Sequence, residues 1–186
     1  MGGKNDYNPA FTISPLQGIR ERFEREAVEV VYQPGVHPQD NYNQSGFPKA
    51  LQAANNTDMT VVVVGMDGDN EGEGHDRQNT SLVGAQSALV QAIMHAIAPQ
   101  KVVVVFVNGG SLSPDWIKHH CPTVVEAMYG GQSGGTALAE VLAGDVSPSG
   151  ILPYTMYPVG YLDQVFGLDL DLDCHNCENA EGIFLI

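Results

Sequence analysis

Residues 60–77 read T-V-V-V-V-G-M-D-G-D-N-E-G-E-G-H-D-R. The run at 61–64 is all β-branched, the composition of a buried strand. A glycine-loosened loop follows at once. It carries five carboxylates, a histidine and an arginine: Asp67, Asp69, Glu71, Glu73, His75, Asp76 and Arg77. Proteins of the α/β class place ligands in loops at the carboxyl ends of parallel strands. Seven ionisable side chains in one such loop point to chemistry more than to packing.

Downstream of this loop, residues 82–98 carry Leu82, Leu89, Ile93 and Ile97 at helical spacing, and Pro99 stops the pattern. Residues 101–107 (K-V-V-V-V-F-V) predict a second buried strand, ending in Asn108-Gly109-Gly110-Ser111. Ser113 is placed to cap a short helix through Asp115, Trp116 and His119. Residues 123–128 predict a third strand, 136–143 a helix closed by Gly144, and 154–157 an edge strand. Upstream, Ser14 and Pro15 open a helix with Leu16, Ile19 and Phe23 on one face. Residues 28–32 predict a strand, 33–45 a loop, and 47–55 a helix. Alternation of continuous apolar strands with helices predicts parallel βαβ units buried on both faces, an α/β sandwich.

The chain has 186 residues, about one domain. We expect residues 1–160 to form that domain and 161–186 an irregular acidic tail, with the chain stopping before a natural end. With 8 basic and 22 acidic residues the net charge is -14. That balance argues against nucleic acid and against anionic membranes as partners, while uncharged ligands such as sugars are compatible. No apolar run approaches the roughly 20 residues of a spanning helix. The amino end has no signal-peptide pattern.

Cys174 and Cys177 have the spacing of a zinc half-site, but the only other cysteine is Cys121; a disulfide in the tail fits better than a metal. Sequons stand at Asn43, Asn55 and Asn79. Asp67, Asp69, Glu71 and Gly72 fit positions 1, 3, 5 and 6 of a calcium loop. Gln78 at position 12 lacks the bidentate carboxylate, so no metal is expected. Residues 130–135 precede a helix without a lysine, as a tight turn more than a phosphate loop. Trp116 and Tyr129 are expected in the core, with stacking on a sugar ring as the alternative. His95, His119 and His120 have no ligand spacing and are expected to be ordinary helix residues.

Eight blocks in order resemble the carboxyl-terminal α/β-sandwich domain of glycoside hydrolase family 3, the β-glucosidase and β-xylosidase family. They are S-P-L-Q-G-I (14–19), V-V-V-V-G-M (61–66), E-G-E-G-H-D-R (71–77), G-A-Q (84–86), V-F-V-N-G-G (residues 105–110, within the block that opens at Val104), Y-G-G-Q-S-G-G (129–135), E-V-L-A-G-D (140–145) and P-S-G-I-L-P-Y-T-M-Y-P (148–158). The first and third are most similar to the β-xylosidase-like branch. The resemblance implies a three-layer sandwich with a mostly parallel sheet and hydrolysis of O-glycosyl bonds with retention.

By the same resemblance, Glu73 falls on the general acid/base, with Glu71 as its rival or as a group that tunes it. Asp76 and Arg77 match the D-R pair, and His75 stands at an aromatic position near the sugar. A retaining mechanism needs a second carboxyl about 5–5.5 Å away, which in this family lies on a barrel domain. The implied partners are therefore a β-linked sugar or oligosaccharide and that barrel; no cofactor is implied. Val83, Gly130 and Ile151 depart from the family pattern, where proline, proline and a basic residue stand. The expectation is a chain inactive by itself. The alternatives are a non-catalytic carbohydrate-binding or partner module, or a calcium-binding acidic loop.

Overall fold

The computed structural model describes residues 9–36, 42–72, 77 and 79–161. Helix α1 (Pro15–Phe23) starts where Ser14 accepts a hydrogen bond from Gln17 N at 3.2 Å, with proline at the first position, as the sequence predicts. Helix α2 (Phe47–Asn55) also has the predicted bounds. Then come β1 (Thr60–Gly65), α3 (Gln86–Ala96), β2 (Val102–Val107), α4 (Asp115–His120), β3 (Val124–Glu126) and α5 (Gly134–Ala143), closed by Gly144 at φ 78°. The three strands form one parallel sheet in the order β1-β2-β3. Thr60 faces Val102 and Val104 faces Val124 across the ladder. The fold is thus the α/β sandwich with a parallel sheet that the sequence predicts.

Helices α2, α3 and α4 build the main core against one side of the sheet. Ala50 and Ala54, then Leu89, Val90, Ile93 and Met94, then Ile117 pack with Val62, Val64, Val104 and Phe106. Burial on both faces holds for the central strand only. Val105 is fully buried, but Val61 and Val63 on β1 remain 36% and 43% exposed. A strand with a neighbour on one side only is less covered than the strand between two neighbours, and apolar composition cannot tell the two apart.

Other expectations need correction. Residues 28–32 form no strand; Val28, Val31 and Tyr32 are about half exposed. Residues 154–157 form no edge strand either. The long helical pattern at 82–98 is helical only over Gln86–Ala96: Gly84 has φ 59°, which interrupts a helix, and Ile97 is extended. Ser113 does not cap α4, whose first flanking residue is Pro114. The Ser113 hydroxyl instead bonds to Thr80 and donates to Tyr157 O at 2.5 Å. Cys121 is a buried free thiol. The tail with Cys174 and Cys177 lies outside the described residues.

The helix pair α1·α5 joins the two ends of the domain. Ile13 N donates to Gln132 O and Gly135 N donates back to Ile13 O, at 2.8 and 3.0 Å. Arg22 on α1 donates to both carboxylate oxygens of Asp145, just past α5. The backbones meet at two glycines. A Cβ on Gly18 would stand 2.1 Å from Gly135 O, and one on Gly135 would stand 2.1 Å from Ser14 O. Backbone atoms cannot swing aside as a side chain can. Gly18→Ala therefore forces the helices apart, and overpacking of this kind costs about 1–3 kcal/mol. Urea unfolding should show that loss as a lower midpoint; an unchanged midpoint would mean the helix pair adjusts freely.

Candidate functional site

The loops after β1, β2 and β3 converge, as the parallel topology requires. After β1, the Asp67 side chain accepts from Asp69 N and Asn70 N at 3.1 and 3.2 Å. Its backbone carbonyl accepts from Asn70 N and Glu71 N, each at 3.0 Å. Short acidic side chains close turns in this way. The turn carries Glu71 back across the end of β2.

There the Glu71 carboxylate is held on both oxygens. Oε1 accepts from Gly109 N and from the Tyr129 hydroxyl, the latter at 2.6 Å. Oε2 accepts from Gly110 N at 3.2 Å and faces Arg77 Nε at 3.3 Å. Arg77 also donates from Nη2 to Ser111 O at 2.8 Å. The glycines leave room for this approach. A Cβ on Gly109 would stand 2.8 Å from the Tyr129 ring, and one on Gly110 would stand 2.7 Å from Arg77 Nη2.

Burial of Glu71, whose side chain is 12% exposed, is the largest single influence and opposes ionisation. The Tyr129 hydroxyl, the Gly109 and Gly110 N–H groups and Arg77 together outweigh it, and hold the carboxyl below its ordinary range. The same contact, with burial, pushes the Tyr129 phenol well above its usual value. Glu71 is a fixed anion.

A second carboxylate sits at the end of β3. Glu126 Oε2 accepts from the Tyr154 hydroxyl at 3.0 Å, and Oε1 from Met128 N at 3.4 Å. Burial raises its pKa, the bonds from Tyr154, Met128 and Asn108 oppose that, and the negative Glu71 adds to it. Tyr154 is pushed up to about 12 by burial and by Glu126. Asn108 is fully buried and links the two carboxylates. Its amide donates to Gly110 O at 2.9 Å and to the Tyr154 oxygen at 3.3 Å. Tyr154 is thereby tied to the ends of β2 and β3. Tyr154 and Glu126 are absent from the sequence-based site because neither lies in the acidic loop; the only signal was their place in family-like blocks or at a strand end.

Of the residues singled out in sequence, Glu71 and Arg77 meet. Glu73, His75 and Asp76 lie outside the described residues. Tyr129, expected in the core, is 46% exposed and spends its hydroxyl on Glu71. Of the residues in the calcium register, Glu71 is committed to Gly109 and Gly110, and no cluster of three acidic, histidine or cysteine side chains that could hold a metal is found among the described residues.

The opposite displacements of Glu71 and Glu126 give a test. A carboxyl with a depressed folded-state pKa contributes stability that is present above the unfolded value, about 4.3, and lost as pH falls through the folded value. Stability should therefore fall on acidification below about pH 4.3, and Glu71→Gln should flatten that limb. Glu126 acts in the other sense: its raised pKa favours the fold at low pH, and that contribution is lost as pH rises through the folded value. Glu126→Gln should thus improve stability near neutrality relative to its effect at pH 4. Chemical denaturation between pH 3 and 8 measures both; identical pH profiles for wild type and Glu71→Gln would contradict the clamp.

Residues 1–176 match the family described as "Glycosyl hydrolase family 3 C-terminal domain". A β-xylosidase of Formosa agariphila is 38% identical over 162 residues, 84% of this chain and 22% of the relative. Thermostable β-glucosidase B of Acetivibrio thermocellus is 34% identical over 178 residues, 94% of this chain and 23% of the relative. Among solved structures, a GH3 exo-β-xylosidase (XlnD) in complex with a xylobiose aziridine activity-based probe superposes with a TM-score of 0.77 at 31% identity. That match covers 86% of this chain and 20% of the other. The chain thus spans about a fifth of the length of the relatives it matches.

Proposed function

Because the chain belongs to the glycosyl hydrolase family 3 C-terminal domain family, we propose that it presents the general acid/base of a retaining β-glycosidase of the β-xylosidase or β-glucosidase kind. Glu73 is that group. A barrel domain supplies the nucleophilic carboxylate and most of the sugar pocket. In the first half-reaction Glu73 gives its proton to the leaving oxygen as the nucleophile attacks the anomeric carbon. In the second it takes a proton from the water that cleaves the glycosyl-enzyme bond.

The observation that carries this reading is the clamp on Glu71. A proton donor needs a pKa near the working pH. Glu71 is held ionised by two backbone N–H groups, a phenol and Arg77. It is poorly suited to give a proton and well suited to be a fixed negative charge. Two residues further along the same loop, Glu73 is the remaining glutamate of the family-like segment. A neighbouring anion raises the pKa of such an acid. We assign sugar binding to Asp76 and His75, beside it in sequence, while Arg77 pairs with Glu71.

The isolated chain should not turn over aryl β-xylosides or aryl β-glucosides above background, since one of the two carboxylates is on another domain. Turnover that persists through purification and is abolished by Glu73→Ala would show that this chain holds both catalytic groups.

A further inference from the structure

A crevice opens between α3 and α4. It encloses about 200 Å³ and is lined by Ser81, Leu82, Ser87, Gln91, Asp115 and Trp116, with Ser113, Pro114, Ile117 and Val159 completing the wall. Helices that pack tightly usually face each other with apolar side chains. Here α3 turns a polar stripe, Ser87, Gln91 and His95, toward α4 instead. Positions four apart lie on one helix face.

Three features say what this crevice fits. The first is Trp116, which is partly buried. His120 stacks on it at 4.0 Å with planes 7° apart, and His95 meets it edge-on at 5.7 Å. The ring is thereby fixed in orientation before any ligand arrives, which lowers the ordering cost of binding. The second is a set of unused neutral polar groups. The side chains of Ser81, Ser87 and Gln91 make no hydrogen bond among the described residues. Together they offer donors and acceptors to an incoming hydroxyl. The third is the charge. The single carboxylate, Asp115, accepts from Val159 N through one oxygen. No lysine or arginine lines the space, so nothing there would hold an anion, and one carboxylate is too few for a divalent cation. The volume is below the roughly 300–1,000 Å³ of pockets for larger ligands, and suits a single six-membered ring.

We propose that this crevice binds one pyranose ring of a neutral sugar, at a site separate from the Glu71 clamp. The ring's apolar C–H side lies against the part of Trp116 that lines the crevice and is not covered by His120, and its hydroxyls meet Ser87, Gln91 and the free oxygen of Asp115. The site requires neither the barrel nor Glu73, so it stands or falls independently of the proposed hydrolytic role.

Trp116 is the only tryptophan in the chain, so its emission reports on this crevice alone. Titration of the full chain with D-xylose or methyl β-D-xyloside, exciting tryptophan selectively, should give a saturable change. Gln91→Ala should weaken the apparent affinity by about tenfold, the cost of one lost hydrogen bond in a desolvated site. Ser87→Ala should act in the same direction. Amide shifts in a parallel NMR titration should concentrate at 81–91 and 113–117. A linear, unsaturated emission change that Gln91→Ala leaves untouched would overturn the proposal. So would sugar-dependent shifts that map only to Gly109, Gly110 and Tyr129, since the binding would then belong to the Glu71 site.

Discussion

Glu73→Ala, in an enzyme reconstituted from this chain and a barrel domain of a close relative, should lower kcat by roughly 10²–10⁴-fold, the usual worth of general acid–base assistance. This result follows from the proposed role, and its pattern matters more than its size. Substrates with poor leaving groups should lose most in glycosylation, because an activated aryl group departs without a proton. A small anion such as azide should partly restore turnover of activated substrates, replacing the water that Glu73 would have activated. Glu71→Ala should cost less and gain nothing from azide. Its loss should instead loosen Gly109, Gly110 and Tyr129, which hydrogen-bond to it. If Glu71→Ala gives the larger fall and the azide rescue, the acid/base is Glu71 and the clamp described above must open during catalysis.

Phe106→Ala should destabilise the isolated chain by about 3–5 kcal/mol, the range for deleting a buried aromatic side chain. Phe106 has no exposed surface and sits on the central strand between Val64 and Glu126. Val62, Val64, Val104, Leu112 and the α3 side chains belong to the same core. Neighbours on a hydrogen-bonded sheet cannot collapse far into the space left behind. Domains have only about 5–15 kcal/mol in total, so the variant should be partly unfolded at ambient temperature. Phe106→Leu, which keeps most of the volume, should cost clearly less. Equilibrium urea unfolding measures both. A loss below about 1 kcal/mol for Phe106→Ala would mean that the core is far more plastic than its burial indicates.

The elements whose position is decided by local pattern were legible in sequence. Ser14 and Pro15 fix the start of α1 because a cap and a preset φ act on adjacent residues. The valine runs of β1 and β2 specify strands that any packing of the chain must bury, and the parallel sheet follows from the helices between them. The stretch 28–32 has equal strand propensity, yet it forms no strand. Propensity is worth about 1 kcal/mol at most and is realised only with a ladder partner, and partners are assigned by the tertiary fold. Leu82 and Ile97 extended the apparent helix because burial, not helicity, makes those positions apolar. Gln86 marks the true start: its side-chain amide pairs with both Gly65 N and Gly65 O, at 2.7 and 2.8 Å, as a neighbouring strand would.

For the site, the sequence by itself determined which loop carries the charged groups, and the family pattern in it. Only the tertiary structure decided what Glu71 does. From spacing, Glu71 and Glu73 are equivalent carboxylates two residues apart. The structure brings Gly109, Gly110 and Tyr129 to Glu71 from 38, 39 and 58 residues away, and no local pattern encodes such contacts. Ionisation is set by the dielectric and the donors around a carboxyl, and those are supplied by whichever strands end beside it. The same reason moves Tyr129 from the expected core to the site and brings Glu126 and Tyr154 into it. Chain order names the chemical groups; the packing of three strand ends fixes their charge.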